Sequence, residues 1–584
     1  LMVDLLVILA IGLPWLGAVL VRCSSDARPK LQHALAVTFA LAGAVAAVAL
    51  IPNRTEHNVL TVPLGAAFGR ATFLPDGLAV FLAVVATVIG SLAVIFSIDY
   101  MRGERQLGRY YAYVLFFIGA MVGLVLSSNL LVVFVFWEIT ALCSYALISF
   151  HNDDPKAVAG GIKALIITQV GGVGLLAGAL LLYVNQGSYD IPTFLANPHA
   201  LSAGVLGVMA FGFLVAAAAK SAQFPFQTWL PDAMEAPTPI SALIHAATMV
   251  NAGVYLLARF YPAFEGVPGW RMAVLVVGLV TALMAAVMAI VATDLKRVLA
   301  YSTVSQLGYM VYAIGAGGVL ASQFHLLSHA IFKALLFLSA GAVIHAVGTR
   351  DMREMGGLGR QMPFVRSVMI IGALALAGLP VLNGFWSKEL VLEAGMAGGP
   401  WWAYAGMVLG AGLTALYTFR FVTMVFYGPA HGRTRAHDAG SAMTIALLPL
   451  AFGTLASWLL AGPFGRFLES ALPPGEHVFE TTSAVLAEIV SAPWTYAVLA
   501  VVACGIAAWF ARERLASPAR VFAGFGRAAA NSFGFEAVNR GVVRATQGTA
   551  EALRGSQTGL LNWNVLGIVV GLAAVLVILA MRGA

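Results

Sequence analysis

The sequence predicts an all-α polytopic membrane protein with about sixteen transmembrane helices. Of its 584 residues, 60% are hydrophobic and only 10% carry a charge, whereas soluble domains average about 25% charged residues. Apolar runs of about 20 residues, the length that crosses a bilayer, recur from end to end. Basic residues collect in alternate loops, as expected of a chain that crosses a membrane repeatedly.

Each predicted span follows an apolar run of sufficient length. The spans are 3–21, 33–51, 73–97, 110–127, 129–149, 161–183, 203–230, 237–259, 272–292, 297–316, 321–346, 364–396, 401–427, 441–462, 494–511 and 563–581. The first run, Val3–Val21, is too long for a signal-peptide core and lacks a basic segment before it. We therefore expect it to be a retained helix.

The distribution of basic residues predicts that the N-terminus lies outside. With that orientation, the cytoplasmic side holds Arg22, Arg28, Lys30, Arg102, Arg105, Arg109, Lys156, Lys163, Lys296, Arg297, Arg350, Arg353, Arg360, Arg366, Arg420, Arg433, Arg435 and the basic stretch from Arg512 onward. The other side holds only Arg54, Arg70, Arg259, Arg271, Arg466 and Arg582. This positive-inside asymmetry also accounts for the net charge of +7 without nucleic acid as a partner.

Two predicted spans, the seventh and the twelfth, are too long for one straight helix. Residues 203–230 contain the prolines of KSAQFPFQTWLP, and residues 364–396 contain the proline and glycine of GLPVLNGFWSKEL. These residues break the backbone ladder, and broken membrane helices are tolerated where they line a cavity. Because the two breaks are five spans apart, we expect inverted repeats of five helices, which are typical of transporters.

These features divide the chain into six predicted segments. They are the N-terminal transmembrane helices (1–109), a first repeat (110–270), a second repeat (271–430), C-terminal transmembrane helices (431–511), an amphipathic lateral helix on the cytoplasmic side (512–562) and a last span (563–584). The amphipathic prediction depends on a helical spacing of apolar residues with arginines between them, at Val538, Val542, Ala545, Ala552 and Leu553. A plain cytoplasmic loop is the alternative.

Three of the seven lysines lie inside predicted spans: Lys220, Lys333 and Lys388. A lysine at mid-membrane costs roughly 2.5–3.5 kcal/mol on insertion scales, so three such residues indicate a function. The alternative for Lys220 and Lys388 is a lysine that snorkels at the end of a half-helix. The other four lysines lie at span ends, where snorkelling or solvent accounts for them: Lys30, Lys156, Lys163 and Lys296.

Glu138 lies near the middle of the fifth span. A lone carboxylate in that position would become neutral. A lysine about 4 Å away would keep both groups charged, through an attraction of roughly 4 kcal/mol at an effective dielectric constant of 20. We predict that Lys220 is this partner, and that separation of the pair favours loss of the lysine proton. The alternative is a protonated Glu138 hydrogen-bonded to the backbone.

His325, His329 and Lys333 follow an i, i+4, i+8 spacing and form one stripe on a helix. His245 is a further intramembrane imidazole, and histidine can pass protons along water near neutral pH. The nearby lysine and the lack of a carboxylate or cysteine in that helix disfavour a metal site. Any single histidine could instead be a hydrogen-bonded core residue, and this alternative is strongest for His345, near the span's end.

The sequence predicts no cofactor in this chain. Its three cysteines are scattered and give no CxxC, no iron–sulfur spacing and no disulfide framework. It also lacks a Walker loop and a GxGxxG motif between a strand and a helix. Any electrons would therefore travel in a partner subunit.

Five long segments follow one another in the order FVFWEITALCSYALISF, KSAQFPFQTWLPDAMEAPTPISALIHAATMVNAGVYLLAR, TDLKRVLAYSTVSQLGYM, HLLSHAIFKALLFLSAG and GFWSKELVLE. They resemble the proton-pumping, antiporter-like subunits of respiratory complex I, in particular the L chain of bacterial NADH–quinone oxidoreductase. The resemblance covers about residues 70–430, and the ending FGFEAVNR…SQTGLLNW is similar to the lateral-helix region. It implies that protons move along a polar axis of Glu138, Lys220, His245, His325, His329, Lys333 and Lys388.

The resemblance also implies a multi-pass subunit of an ion-translocating NADH:quinone oxidoreductase-type complex in the bacterial cytoplasmic membrane. Its partners would be the lipid bilayer, protons or Na⁺, and other membrane subunits, including further antiporter-like ones. FMN, iron–sulfur clusters and quinone would lie in partner subunits.

The sixth span departs from the L-chain pattern, because Gln169 and Gly172 replace the usual Arg and Asp. The run FPFQTWLPDAMEAPTP and the GG sequence resemble the large subunit of Mrp-type Na⁺/H⁺ antiporters. The alternatives are therefore an Mrp-type antiporter subunit, or a membrane module of a hydrogenase-like or inorganic-carbon uptake complex. The carbon uptake alternative predicts a large soluble zinc protein as partner.

Overall fold

The computed structural model describes residues 1–65, 68–429, 436–476, 478, 481–519, 521, 523–556 and 570, and most of them are helical. In this part of the chain, thirteen helices are long and apolar enough to cross a membrane. Large apolar side chains such as Val170, Val173 and Val184 remain exposed on the outside of the bundle. Extensive exposed apolar surface is expected where a protein meets lipid. The predicted all-α polytopic fold is thus confirmed.

The described residues of the first part form eleven α-helices and one β-hairpin. The elements are α1 (Met2–Cys23), α2 (Pro29–Ala49), β1 (Val59–Gly65), β2 (Gly69–Phe73), α3 (Gly77–Tyr100), α4 (Leu107–Leu126), α5 (Leu130–Ile148), α6 (Pro155–Gln186), α7 (Ile191–Ala196), α8 (Ala203–Lys220), α9 (Trp229–Asp232), α10 (Thr238–Ala242) and α11 (Met249–Phe264). The two strands pair antiparallel. This hairpin was not predicted and lies between α2 and α3.

The described residues of the second part form thirteen α-helices. They are α12 (Trp270–Val291), α13 (Leu295–Ala316), α14 (Val319–Val347), α15 (Pro363–Ala377), α16 (Asn383–Gly398), α17 (Trp401–Val422), α18 (Ser441–Ala456), α19 (Ala461–Leu468), α20 (Thr482–Ser491), α21 (Pro493–Phe510), α22 (Arg512–Ala519), α23 (Ala523–Ala530) and α24 (Phe535–Ser556).

The observed helices account for the predicted spans, with ends that shift by a few residues. α13 is 22 residues long but rich in Ser, Thr and Gln, so it is less apolar than the thirteen helices that qualify by composition. The predicted span 364–396 corresponds to the broken pair α15 and α16. The predicted span 563–581 lies outside the described residues.

Polar caps fix where several of these helices begin. Asp76, Asn129, Asp154 and Asp294 accept hydrogen bonds from backbone N–H groups in the first turns of α3, α5, α6 and α13. The first four N–H groups of a helix have no partner within the helix, and a short acceptor side chain satisfies them. Residues at the ends of the loops therefore fix where these helices begin, which the length of an apolar run alone does not determine.

Both predicted breaks are confirmed. α8 ends at Lys220, and the chain passes through the single turn of α9 before α10 begins. α15 ends at Ala377, and α16 begins at Asn383. A third irregularity, a π-helical turn at Leu243–Ala247, separates α10 from α11 and was not predicted. Such turns occur frequently at functional sites.

α14 lies in the interior of the bundle, where it packs against α3, α10, α13, α15, α16 and α18. α13 in turn packs closely against α12. A Cβ atom at Gly278 of α12 would lie 2.3 Å from the backbone nitrogen of Tyr312 on α13. Only glycine allows the two backbones to approach this closely.

Residues Leu1–Gly526 form one compact unit, and a second unit begins at Arg527. The second unit contains α24, which lies within the predicted segment 512–562. Its apolar residues Val538, Val542 and Leu553 are exposed within that unit. The inverted repeats, the outside N-terminus and the six-segment division remain predictions.

Candidate functional site

Six of the ionisable residues singled out from the sequence lie inside the bundle. Lys220, His245, His325, His329 and Lys333 are 0% exposed, and Lys388 is 2% exposed. The lysines therefore do not snorkel to solvent, and the alternative proposed for Lys220 and Lys388 is wrong. Burial of so many basic groups is costly, and each needs a polar partner.

Lys220, the last residue of α8, contacts α5 rather than solvent. Its Nζ donates a 2.7 Å hydrogen bond to the main-chain oxygen of Trp137 and lies 4.8 Å from the centre of the Trp137 ring. Glu138 is the next residue along α5 and interacts electrostatically with Lys220. Lys220 and Glu138 therefore lie near each other. The lysine forms its hydrogen bond with the backbone oxygen of Trp137, beside the carboxylate.

Glu138 projects towards α6. Both of its carboxylate oxygens are buried and have no hydrogen-bond partner among the described residues. A Cβ atom at Gly172 would lie 2.5 Å from Glu138 Oε1, so any larger side chain there would collide with the carboxylate. Gln169, one turn earlier on α6, lies beside it. Gln169 and Gly172, the two residues of the sixth span that differ from the L-chain pattern, thus form the wall that faces Glu138.

His245 lies in the π-helical turn between α10 and α11. Two side chains satisfy carbonyl groups of that turn: Thr248 Oγ1 donates to Leu243 O at 2.9 Å, and Asn251 Nδ2 donates to Ala246 O at 2.8 Å. The imidazole packs on the Phe337 ring of α14, with centroids 4.7 Å apart. Its two nitrogens have no hydrogen-bond partner among the described residues.

Lys333 lies on α14 and points at α13. Its Nζ donates to the main-chain oxygen of Leu299 at 3.1 Å and to the hydroxyl of Ser302. The ammonium is also 5.8 Å from the centre of the Phe337 ring. Phe337 is therefore a shared neighbour of His245 and Lys333.

The histidine stripe continues from Lys333 towards α16. The rings of His329 and His325 have centroids 6.4 Å apart. His329 has no hydrogen-bond partner among the described residues. His325 is held at both ring nitrogens: Nδ1 lies 3.0 Å from Ser387 Oγ on α16, and Nε2 lies 3.1 Å from Gln306 Oε1 on α13.

Lys388 follows Ser387 and bonds across the twelfth-span break. Its Nζ donates a 2.9 Å hydrogen bond to the main-chain oxygen of Leu376, in the last turn of α15. The last carbonyls of a helix have no partner within it, and this end carries partial negative charge. The break in the helix thus creates the acceptor that accommodates the buried ammonium.

Several polar residues of this row were missed by sequence reasoning. Ser302, Gln306 and Ser387 are all 0% exposed and contact the predicted residues. Glu389, beside Lys388, is 4% exposed and was overlooked although it is ionisable. Each is a polar residue within a predicted span, and this was the available signal.

The interpretation of Lys296 as a solvated span-end lysine is wrong. The residue is only 3% exposed, and its Nζ donates a 2.6 Å hydrogen bond to the main-chain oxygen of Ala236. The segment between α9 and α10 covers it, and a sequence pattern cannot show such a long-range contact. Lys30 and Lys156 are exposed as expected.

His345 does not join the row. It is exposed near the end of α14, where its ring lies 5.5 Å from that of Tyr100 and 6.0 Å from that of His437. Among the described residues, no group of three or more His, Cys, Asp or Glu side chains could hold a metal ion.

An ion-pair network ties the seventh-span break to its neighbours. Asp232 of α9 pairs with Lys163 of α6 at 2.7 Å and with Arg297 of α13 at 2.6 Å. Nearby, Arg350 pairs with both Glu235 and Asp294 at 3.0 Å. These partly exposed pairs orient the broken segment and contribute little stability individually.

Comparison with known proteins identifies relatives of the region that carries this row. Residues 127–414, which include all seven predicted residues, match the family described as NADH:quinone oxidoreductase/Mrp antiporter, TM. Residues 69–111 match the family described as NADH-Ubiquinone oxidoreductase (complex I), chain 5 N-terminus.

Two cyanobacterial relatives are both called NAD(P)H-quinone oxidoreductase chain 5. The Synechocystis protein is 43% identical over 65% of this chain and 57% of its own length. The Picosynechococcus protein is 40% identical over 70% of this chain and 68% of its own length. The chain thus spans little more than half the length of the first relative.

A solved structure, the Mrp complex from Dietzia sp. DQ12-45-1b, is similar over 99% of this chain and 63% of the compared chain, with a TM-score of 0.84 and 30% identity. The sequence relatives, the matched family and this structural neighbour agree with one another. The chain therefore belongs to the NADH:quinone oxidoreductase/Mrp antiporter family of transmembrane proteins.

Proposed function

We propose that this chain is a proton-translocating membrane subunit of a redox-driven, NADH–quinone oxidoreductase-like complex. The observation that carries the proposal is the buried row of basic groups on two broken helices, a π-helical turn and the continuous helix α14. The row extends from Lys220 beside Glu138, past His245, through Lys333, His329 and His325, to Lys388. Intramembrane ionisable residues that face a bundle interior mark proton and ion pathways.

The hydrogen-bond pattern suits groups that exchange protons. All three lysines bond to backbone oxygens, and Lys388 does so at the end of α15, where the helix breaks. The ring nitrogens of His245 and His329 have no partner among the described residues, although both rings are fully buried. Ordered water is the usual partner of such groups, and water chains conduct protons between imidazoles.

In this proposal, Glu138 and Lys220 act as a charge pair whose separation favours release of the lysine proton. Lys333 accepts a proton in the centre of the bundle, and Lys388 passes a proton on at the far end of the row. Conformational or electrostatic changes in partner subunits would drive the transfer. Those partners would be further membrane subunits and subunits that hold FMN, iron–sulfur clusters and quinone, within the bacterial cytoplasmic membrane.

A second candidate is an Mrp-type Na⁺/H⁺ antiporter subunit. Gln169 and Gly172 favour it, because they form the wall at Glu138 and depart from the complex I pattern. The Dietzia Mrp complex, similar over nearly the whole chain, also favours it. The two candidates share the row of residues and differ in what drives transport.

Sealed vesicles that contain the complete complex, with a pH-sensitive dye inside, separate the two candidates. The proposal predicts pH changes that start when electron donor and quinone are supplied and that Lys220→Ala abolishes. The antiporter alternative predicts pH changes that follow a Na⁺ gradient without any donor. Lys156→Ala, at an exposed lysine, is the matched control. A complex that assembles and translocates protons under neither condition would contradict both.

A further inference from the structure

His325 is held differently from the other buried histidines. Among the described residues, His245 and His329 have no hydrogen-bond partner, whereas both ring nitrogens of His325 are engaged. Its partners come from two different helices, Gln306 from α13 and Ser387 from α16. His325 is therefore the point at which the α14 stripe meets the helix that carries Lys388.

Ser387 can serve His325 in two ways. Its hydroxyl has one proton and can accept as well as donate. In one arrangement it donates to His325 Nδ1, which suits a neutral imidazole protonated at Nε2. In the other it donates to the main-chain oxygen of Asn383, 2.9 Å away, and accepts a hydrogen bond from a protonated Nδ1. Rotation about one bond connects the two arrangements.

Gln306 supplies the second acceptor. Its Oε1 lies 3.1 Å from Nε2 and accepts the proton of that nitrogen in both arrangements. With Ser387 turned to Asn383, both ring N–H groups face oxygen acceptors, which is what an imidazolium requires. The surroundings therefore accommodate His325 with one proton or with two, and no helix has to move.

We propose that Ser387 and Gln306 are positioning residues that let His325 hold either charge state, and so link the α14 stripe to Lys388. This inference rests on the proposed proton translocation. Ser387 connects these two groups, because its hydroxyl contacts His325 and its backbone is bonded to Lys388. The other titratable or charged groups around His325 are His329 on α14, Tyr309 on α13 and Lys388 on α16.

Ser387→Ala in the complete complex tests the inference. It removes the hydroxyl that accepts from the protonated ring, and charge-assisted hydrogen bonds are the stronger ones, so the doubly protonated state loses more. We expect transport to fall about tenfold or more and the midpoint of its pH profile to move to lower pH by about half a unit or more. Ser387→Thr, which keeps the hydroxyl, should restore both the rate and the midpoint.

Gln306→Met gives an independent second variant, because it removes the acceptor at the other ring nitrogen while it preserves length. It should shift the midpoint in the same direction as Ser387→Ala. Ser339→Ala is the matched control, a fully buried α14 serine whose hydroxyl has no hydrogen-bond partner among the described residues. That variant should keep the wild-type rate and midpoint.

The outcomes separate this inference from the proposed function. If the wild-type complex translocates protons and both Ser387→Ala and Gln306→Met keep its pH profile, this inference is overturned and the proposed function stands. A loss of rate in Ser387→Ala that Ser387→Thr does not rescue would also overturn it, as a merely structural effect. If the assembled wild-type complex moves no protons, the proposed function fails together with the inference.

Discussion

Lys220 donates its hydrogen bond to the main-chain oxygen of Trp137, and Glu138 is the next residue along the helix. The buried ammonium thus lies beside a carboxylate whose own oxygens have no hydrogen-bond partner among the described residues. A small movement of the lysine towards or away from Glu138 would change the strength of their attraction without unfolding either helix. This arrangement suits a pair that must be formed and broken repeatedly.

Glu138→Gln should therefore reduce proton translocation while the complex still assembles. The substitution keeps the shape of the side chain but removes the charge that stabilises protonated Lys220. We expect a loss of about tenfold or more, in the range typical of a removed proton-transfer group. The measurement is dye-reported transport in vesicles, normalised to the amount of assembled complex. Unchanged transport in Glu138→Gln would show that the charge pair has no role.

Gly172→Ala tests the wall that faces Glu138. The new Cβ atom would lie 2.5 Å from Glu138 Oε1 and must displace the carboxylate. The carboxylate is the free end of a flexible side chain, so the fold accommodates the shift at little cost, and the main effect is to move a functional group from its position. We expect transport to fall several-fold. Gly207→Ala on α8 is the matched control, because a Cβ atom there meets nothing within 4 Å. Equal transport in the two variants would contradict the role of this wall.

We expect Phe337→Leu to let protons leak through the protein. The Phe337 ring contacts His245 and lies near the Lys333 ammonium. An apolar side chain between two polar groups keeps water from joining them, as in channels that are gated by dewetting. Passive decay of an imposed pH gradient should be faster in Phe337→Leu than in wild type. Phe324→Leu, another buried α14 phenylalanine, serves as control, and an equal decay rate in both variants would count against the barrier.

Glu476 gives the protein a pH-dependent stability outside the spanning helices. Its Oε1 accepts a 2.7 Å hydrogen bond from the backbone nitrogen of Leu320, in the first turn of α14. Burial nevertheless raises the pKa of this carboxyl from 4.5 to about 7. The folded chain therefore holds a proton that the unfolded chain releases, and stability falls as pH rises from about 4.5 to about 7.

Glu476→Gln keeps an acceptor oxygen and removes the titration. Its melting temperature should match wild type at pH 4 and exceed it at pH 8, because only the wild type loses stability over that range. Glu469→Gln, at an exposed glutamate, should show no difference at either pH. A Glu476→Gln melting temperature below wild type at pH 8 would contradict the assigned shift.

The membrane spans and the two helix breaks could be predicted from the sequence, because apolar length and Pro or Gly within a run are local signals. The candidate lysines and histidines could also be named, since an ionisable group in an apolar span costs energy. The hydrogen-bond partners of these residues could not be predicted. His325 bonds to Gln306 and Ser387, which lie 19 and 62 residues away in the chain. Only the packing of α13, α14 and α16 brings them together.

The error at Lys296 has the same cause, a contact between residues far apart in the chain. Lys296 lies at a helix start, where solvent is the usual neighbour, but the segment after α9 folds over it. Glu389, in contrast, carries the same local signal as Lys388, an ionisable group in a predicted span, and could have been named from the sequence. The π-helical turn at Leu243–Ala247 has no proline or glycine to mark it, and its carbonyls are instead satisfied by Thr248 and Asn251.

Proton translocation by Lys333→Ala tests the central claim most directly, because Lys333 lies in the middle of the row and is fully buried. The complete complex in sealed vesicles would be supplied with its driving reaction, and internal pH would be recorded beside the Lys156→Ala control. The account predicts that Lys333→Ala assembles normally but that its proton signal falls to background, while Lys156→Ala matches wild type. Wild-type proton translocation by an assembled Lys333→Ala complex would contradict the account.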